Sequence, residues 1–81
     1  MVVDWASDEG EVYFAEKPLG ALGTMHLTAQ SLGEIGWDWH IWDAAGRLQQ
    51  RYGLADTLSE AQAKAVRALA DVVEQLPSDG T

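Results

Sequence analysis

Trp37-Asp38-Trp39-His40-Ile41-Trp42 is the stretch that decides the fold. Three of the four tryptophans fall within these six residues, alternating with polar side chains. Large aromatics at a period of two mark a β-strand rather than a helix. Asp43-Ala44-Ala45-Gly46 follows as a tight turn, with Asp at its first position and Gly at its last. A returning strand over residues 47–54 completes a hairpin, expected at the centre of the sheet.

Two registers suit this hairpin. A simple four-residue turn sets Trp42 opposite Arg47 and Asp38 opposite Arg51. A left-handed Gly46 in a bulge sets Asp43 against Arg47, Trp42 against Leu48 and Asp38 against Tyr52. The second is preferred. It gathers Trp42, Leu48, Tyr52 and Leu54 on one face as a core, and leaves Trp37, Trp39 and Ile41 on the other beside Arg51.

Upstream, residues 1–10 read as an arm or a short edge strand, with Ser7-Asp8-Glu9-Gly10 as a turn and Trp5 docked on the body. Residues 11–16 read as a strand with Val12 and Phe14 on one face and Tyr13 on the other. Lys17-Pro18-Leu19-Gly20 is a turn. Residues 21–30 form the next strand, with Met25, Leu27 and Ala29 facing one way and Thr24, His26 and Thr28 the other. Residues 31–36, with two glycines, turn the chain again.

Downstream, Thr57-Leu58-Ser59-Glu60 is a capping box that starts a helix over residues 57–76. Leu58, Ala61, Ala65, Leu69, Val72 and Leu76 make its apolar stripe, widened by Val66 and Val73. Glu60, Lys64, Arg67, Asp71 and Glu74 make its wet face, and residues 77–81 are a tail. The expected fold is α+β: a four-stranded antiparallel meander over residues 11–55 with one C-terminal helix on one face, in a single domain of residues 1–81. One helix covers one face of a sheet. The second face, also carrying aromatics, is expected to be covered by the Trp5 arm, a second copy or a partner.

Composition narrows the function. Eighty-one residues allow one small core. The absence of cysteine excludes disulfides and thiolate metal sites. The start has no basic region followed by an apolar core, and no apolar run is long enough to span a bilayer, so a cytoplasmic location in a bacterial host cell is expected. A net charge of −8 disfavours direct nucleic-acid and membrane binding. Residues 1–43 hold eight acids against one base, and residues 44–81 five acids against four bases. The acidity therefore lies in the N-terminal segment and the sheet.

No catalytic set is visible: no nucleophile elbow, P-loop or dinucleotide fingerprint. His26 and His40 lack metal-ligand spacing and read as surface strand histidines. No cofactor and no enzymatic activity are expected. A tryptophan platform for single-stranded nucleic acid would interleave its rings with Lys and Arg, whereas the neighbours here are Glu34, Asp38 and Asp43. Core packing accounts for most of the rings, and an exposed tryptophan at a protein interface is the alternative. The carboxylates are the better candidates, because acids spread over a sheet can imitate a phosphate backbone and compete for a basic groove. The candidate partner-binding set is Asp8, Glu9, Glu11, Glu34, Asp38 and Asp43, with Trp39 as its aromatic member. The partner is expected to be a protein with a basic nucleic-acid-binding surface, and the chain itself a monomer or a homodimer serving as an interaction module.

The run from Trp37 through Asp43-Ala44-Ala45-Gly46-Arg47, a short strand, then Thr57-Leu58-Ser59-Glu60-Ala61-Gln62-Ala63-Lys64-Ala65 opening an alanine-rich helix resembles small bacterial and prophage proteins. In those a Trp-rich hairpin precedes a helix, and the resemblance covers residues 37–76. With its size, acidity and lack of a catalytic set, the whole chain resembles small anti-CRISPR proteins of phages and mobile elements, those acting on type I systems, with type I-C as first candidate. That resemblance implies binding to a Cas subunit and blocking of target-DNA or PAM recognition in antiviral defence evasion, while the expectation of a DNA mimic rests on the placement of the carboxylates. The acidic set is nominated by charge placement, not by the resemblance.

Overall fold

The computed structural model describes residues 3–46, 48 and 50–75. The chain runs β1 (Ala6–Asp8), β2 (Val12–Pro18), β3 (Thr24–Ser31), β4 (Trp37–Asp43), β5 (Arg51–Ala55) and α1 (Leu58–Glu74). The strands form one antiparallel sheet in sequence order, with α1 lying over β3, β4 and β5.

The α+β class and the single C-terminal helix agree with the sequence reading, but the sheet has five strands rather than four. The extra strand comes from the arm. Ala6 pairs with Phe14 and Asp8 with Val12, closed by a turn in which the Glu11 N–H donates to the Asp8 carbonyl. Glu9 and Gly10 both take positive φ there, so the turn lies one residue later than expected.

The connections on either side of β3 share one design. Leu19-Gly20-Ala21-Leu22-Gly23 and Leu32-Gly33-Glu34-Ile35-Gly36 each close a short 3₁₀ turn. In each, the leucine N–H donates to the carbonyl of the last glycine, at 2.7 and 2.8 Å, and that glycine's N–H donates back to the first. Both glycines of each motif have positive φ, which glycine adopts without steric cost. The first motif explains why β3 starts at Thr24 and not at residue 21, and why Lys17 and Pro18 belong to β2. Pro18 sits at the strand end, where its missing N–H is tolerated.

Cross-strand register decides which face is core. Leu27 lies opposite Ala15 on one side and Ile41 on the other, and Ala29 lies opposite Tyr13 and Trp39. The apolar side of β3 is thus continuous with Trp37, Trp39 and Ile41. Met25, Leu27, Ile41 and Leu69 are fully buried there, joined by Ala15, Ala65, Ala68 and Val72. Each such large side chain contributes roughly 1.5–3 kcal/mol by its burial. Ala29, Ala55 and Ala61 form a second cluster under Trp5, Tyr13, Trp37 and Trp39. Alanines on both helix and sheet let the backbones approach around the indoles.

This overturns the expectation that Trp42, Leu48, Tyr52 and Leu54 make the core. Trp42, Tyr52 and Leu54 share a face, but it is the face away from the helix, because β3 presents His26, Thr28 and Gln30 on that side. Neither expected register holds. Asp38 pairs with Leu54, His40 with Tyr52 and Ile41 with Arg51. The shift from the preferred register is an even number of residues, so the sorting of faces survives while the pairs do not. The Asp43–Gly46 turn forms, with Gly46 N–H donating to the Asp43 carbonyl at 2.9 Å. Leu48 packs against the core on the helix side. Arg47, expected opposite Trp42 in one register and Asp43 in the other, lies outside the described residues.

Thr57 caps α1, its Oγ1 accepting the Glu60 N–H at 3.1 Å. Buried Ala61, Ala65, Ala68, Leu69 and Val72 make the stripe, Ala68 being one the periodicity passed over. Leu76 lies outside the described residues. Lys64 ties the helix to β5, donating to the Leu54 carbonyl at 3.2 Å and pairing with Glu60 at 3.0 Å.

Candidate functional site

The topology sorts the seven sequence-nominated residues into two groups. Asp8, Glu9 and Glu11 occupy the β1–β2 turn and are exposed. The Glu11 carbonyl accepts the Ser31 N–H at 2.8 Å, which fastens this turn to the end of β3. Glu34 is exposed in the next connection, and Asp38 follows near the start of β4, opposite Gln30 and Leu54. These five carboxylates, distant in sequence, therefore share one end of the sheet. Asp56, exposed just after β5, adds a sixth. The described cation nearest this end in the fold is Lys64, already paired with Glu60. Ile35, 77 % exposed beside Glu34, projects an apolar side chain among the acids.

Asp43 and Trp39 go elsewhere. Asp43 lies at the opposite end and is only 7 % exposed, its Oδ1 accepting the Ala45 N–H at 3.1 Å in an Asx turn. Trp39 packs against both core clusters beneath α1. The acid holds a turn and the indole fills the interior, so neither offers a free surface to a partner.

Among the described residues, no element packs over the face away from the helix. Register sets its side chains in rows: Val12, Gln30, Asp38 and Leu54; then Phe14, Thr28, His40 and Tyr52; then Glu16, His26 and Trp42. Tyr52 is 75 % exposed, Leu54 62 % and Phe14 44 %. Aromatic rings run across it. His26 stacks on Trp42 at 5.4 Å between centroids, His40 lies 4.9 Å from Trp42, and Tyr52 meets His40 edge-on at 6.1 Å. Glu16 lies 3.5 Å from His26 Nδ1, and Gln50 bonds His40 Nε2 at 3.1 Å. The Trp5 arm does not cover this face, because Trp5 packs on the helix side. Sequence reasoning placed Tyr52 and Leu54 in the core and left the face of Phe14 unassigned, so it missed all three as exposed, while Trp42 lies half-buried on the same face. The alternation of β3, polar at His26, Thr28 and Gln30, held the signal.

Among the described residues no three His, Asp or Glu side chains converge as metal ligands would, and no described helix is long and apolar enough to cross a membrane. No family model matches the chain, and neither the curated proteins nor the solved structures compared with it give a match.

Proposed function

We propose that the protein is a non-enzymatic inhibitor whose acidic sheet end docks on the basic, nucleic-acid-binding surface of another protein. What supports this reading is the gathering of Asp8, Glu9, Glu11, Glu34 and Asp38 at one end of a rigid sheet. Carboxylates fixed on strands and tight turns can follow the spacing of phosphates with little backbone left to order. Such a pair associates fast, and its affinity falls with salt. The specific partner proposed, on the resemblance above, is a DNA-binding subunit of a type I CRISPR surveillance complex, in the cytoplasm of a bacterium carrying a phage or mobile element.

The test is a gel-shift titration of such a complex with its target DNA, with and without the protein, at two salt concentrations. Near-stoichiometric loss of DNA binding, weakened by salt and abolished by Glu9→Lys with Glu11→Lys, is the expected result. No effect on any type I complex removes that partner; an unchanged effect of the charge-reversed variant removes the acidic end as the site.

A second reading is a homodimeric interaction module. It is favoured by the apolar side chains of Phe14, Tyr52 and Leu54 on the open face. Sedimentation at micromolar concentration separates the two, a stable dimer supporting the second.

A further inference from the structure

The open face carries more than the acidic end requires. Its aromatic rings lie between carboxylates, Asp8 and Asp38 in the first row and Glu16 in the third. No described lysine or arginine shares it, because the register turns Lys17 and Arg51 to the helix side, opposite Met25 and Ile41. Exposed rings interleaved with carboxylates are the chemistry that holds a guanidinium. Arginine is planar and weakly hydrated, so it stacks on an aromatic face while its N–H fork meets a carboxylate. Lysine, a compact and strongly hydrated charge, gains less from the rings.

Resting on the proposed function, we infer that this face is a docking surface for an arginine-bearing segment of the partner protein, with Tyr52 as its most accessible ring. Charge complementarity selects this occupant. A second copy, itself at net −8, brings Glu16 and Asp38 again and no described cation to meet them. Single-stranded nucleic acid stacks on rings set among Lys and Arg, and the carboxylates here repel phosphate.

The test is an amide chemical-shift titration of the full ¹⁵N-labelled chain with octa-arginine and, in parallel, octa-lysine. Octa-arginine is expected to move the amides of Phe14, His40, Tyr52 and Leu54 and to bind tighter than octa-lysine. Tyr52→Ser is expected to weaken octa-arginine binding by about twofold to fivefold, in line with one exposed cation–π contact. Tyr52 is largely exposed, and the wild-type shift map stands without the variant. Shifts confined to residues 8–11 and 34 overturn this inference and leave the acidic-end function standing. Equal binding of octa-lysine overturns the arginine preference. Concentration-dependent shifts of the face without peptide assign it to a second copy, and matching shifts with oligo-dT assign it to nucleic acid. No binding of octa-arginine anywhere removes both the inference and the function beneath it.

Discussion

The indole of Trp39 lies over Gly53, its cross-strand partner: a Cβ at Gly53 would sit 2.9 Å from Trp39 Nε1 and 3.0 Å from two carbons of the ring. A glycine inside a strand ordinarily weakens it, but here the ring covers the bare backbone and needs the missing side chain. Gly53→Ala is expected to push the indole off both core clusters and to cost roughly 1–3 kcal/mol by overpacking. For a domain of this size that lowers Tm by about 4–8 °C per kcal/mol. A thermal melt checks it, and an unchanged Tm would show that the ring does not rest there.

Gly33 and Gly36 belong to one turn and should respond differently. Both have positive φ, yet a Cβ at Gly33 meets open space while one at Gly36 falls 2.5 Å from the Ala55 carbonyl oxygen. Gly33→Ala should cost about 1–2 kcal/mol from left-handed backbone strain alone. Gly36→Ala should cost clearly more, because the obstructing atom is backbone and cannot turn aside. Urea denaturation of both variants provides the comparison.

Much of this fold was legible because β3 and α1 carry clean periods. Met25, Leu27 and Ala29 at period two, and Ala61, Ala65, Leu69 and Val72 at helical spacing, named their buried faces directly. The hairpin between Trp37 and Leu54 was not legible, because both of its faces carry aromatics and neither period nor hydropathy says which faces inward. Only pairing with Leu27 settles that, through the small partners Ala15, Gly53 and Ala55 that leave room for the indoles. The acidic site was legible as composition but not as geometry. Asp43 looks like the other acids in sequence, and its use in an Asx turn removes it from the surface.

The start of α1 makes a pair of predictions. Thr57→Ala removes the acceptor of the Glu60 N–H and should cost about 1 kcal/mol, with Thr57→Ser restoring most of it. The hydrogen bond from Lys64, with its positive charge, holds the Glu60 carboxyl below its ordinary value of 4.5. A carboxyl lowered in the folded state stabilises above its unfolded pKa, and the contribution is lost as pH falls through the folded value. Glu60→Gln should therefore melt slightly earlier than the parent near pH 7. That difference should fade as pH falls below the ordinary carboxyl value and Glu60 takes up its proton, and shrink in high salt because the pair is exposed. A difference that persists in acid would assign the effect to something other than the ion pair.

Charge reversal should separate acids that could bind a partner from the acid that builds the fold. Glu9, Glu11 and Glu34 are exposed at the sheet end, so Lys at these positions relieves mutual repulsion and should leave Tm within a few degrees of the parent, surface changes costing about ±0.5 kcal/mol. The same changes should raise the dissociation constant for a basic partner and flatten its salt dependence, since each reversal removes an attraction and adds a repulsion. Asp43→Lys is the contrasting case. It places an ammonium where a buried carboxylate accepts the Ala45 N–H, so the turn loses its acceptor and the core edge gains a buried cation. That variant should lose several kcal/mol of stability, roughly the 3–5 kcal/mol typical of an uncompensated buried charge. Circular dichroism melts and partner titration on the same four proteins decide it. If Asp43→Lys melts like the parent while Glu9→Lys unfolds, the burial of Asp43 and the exposure of the turn are both wrong.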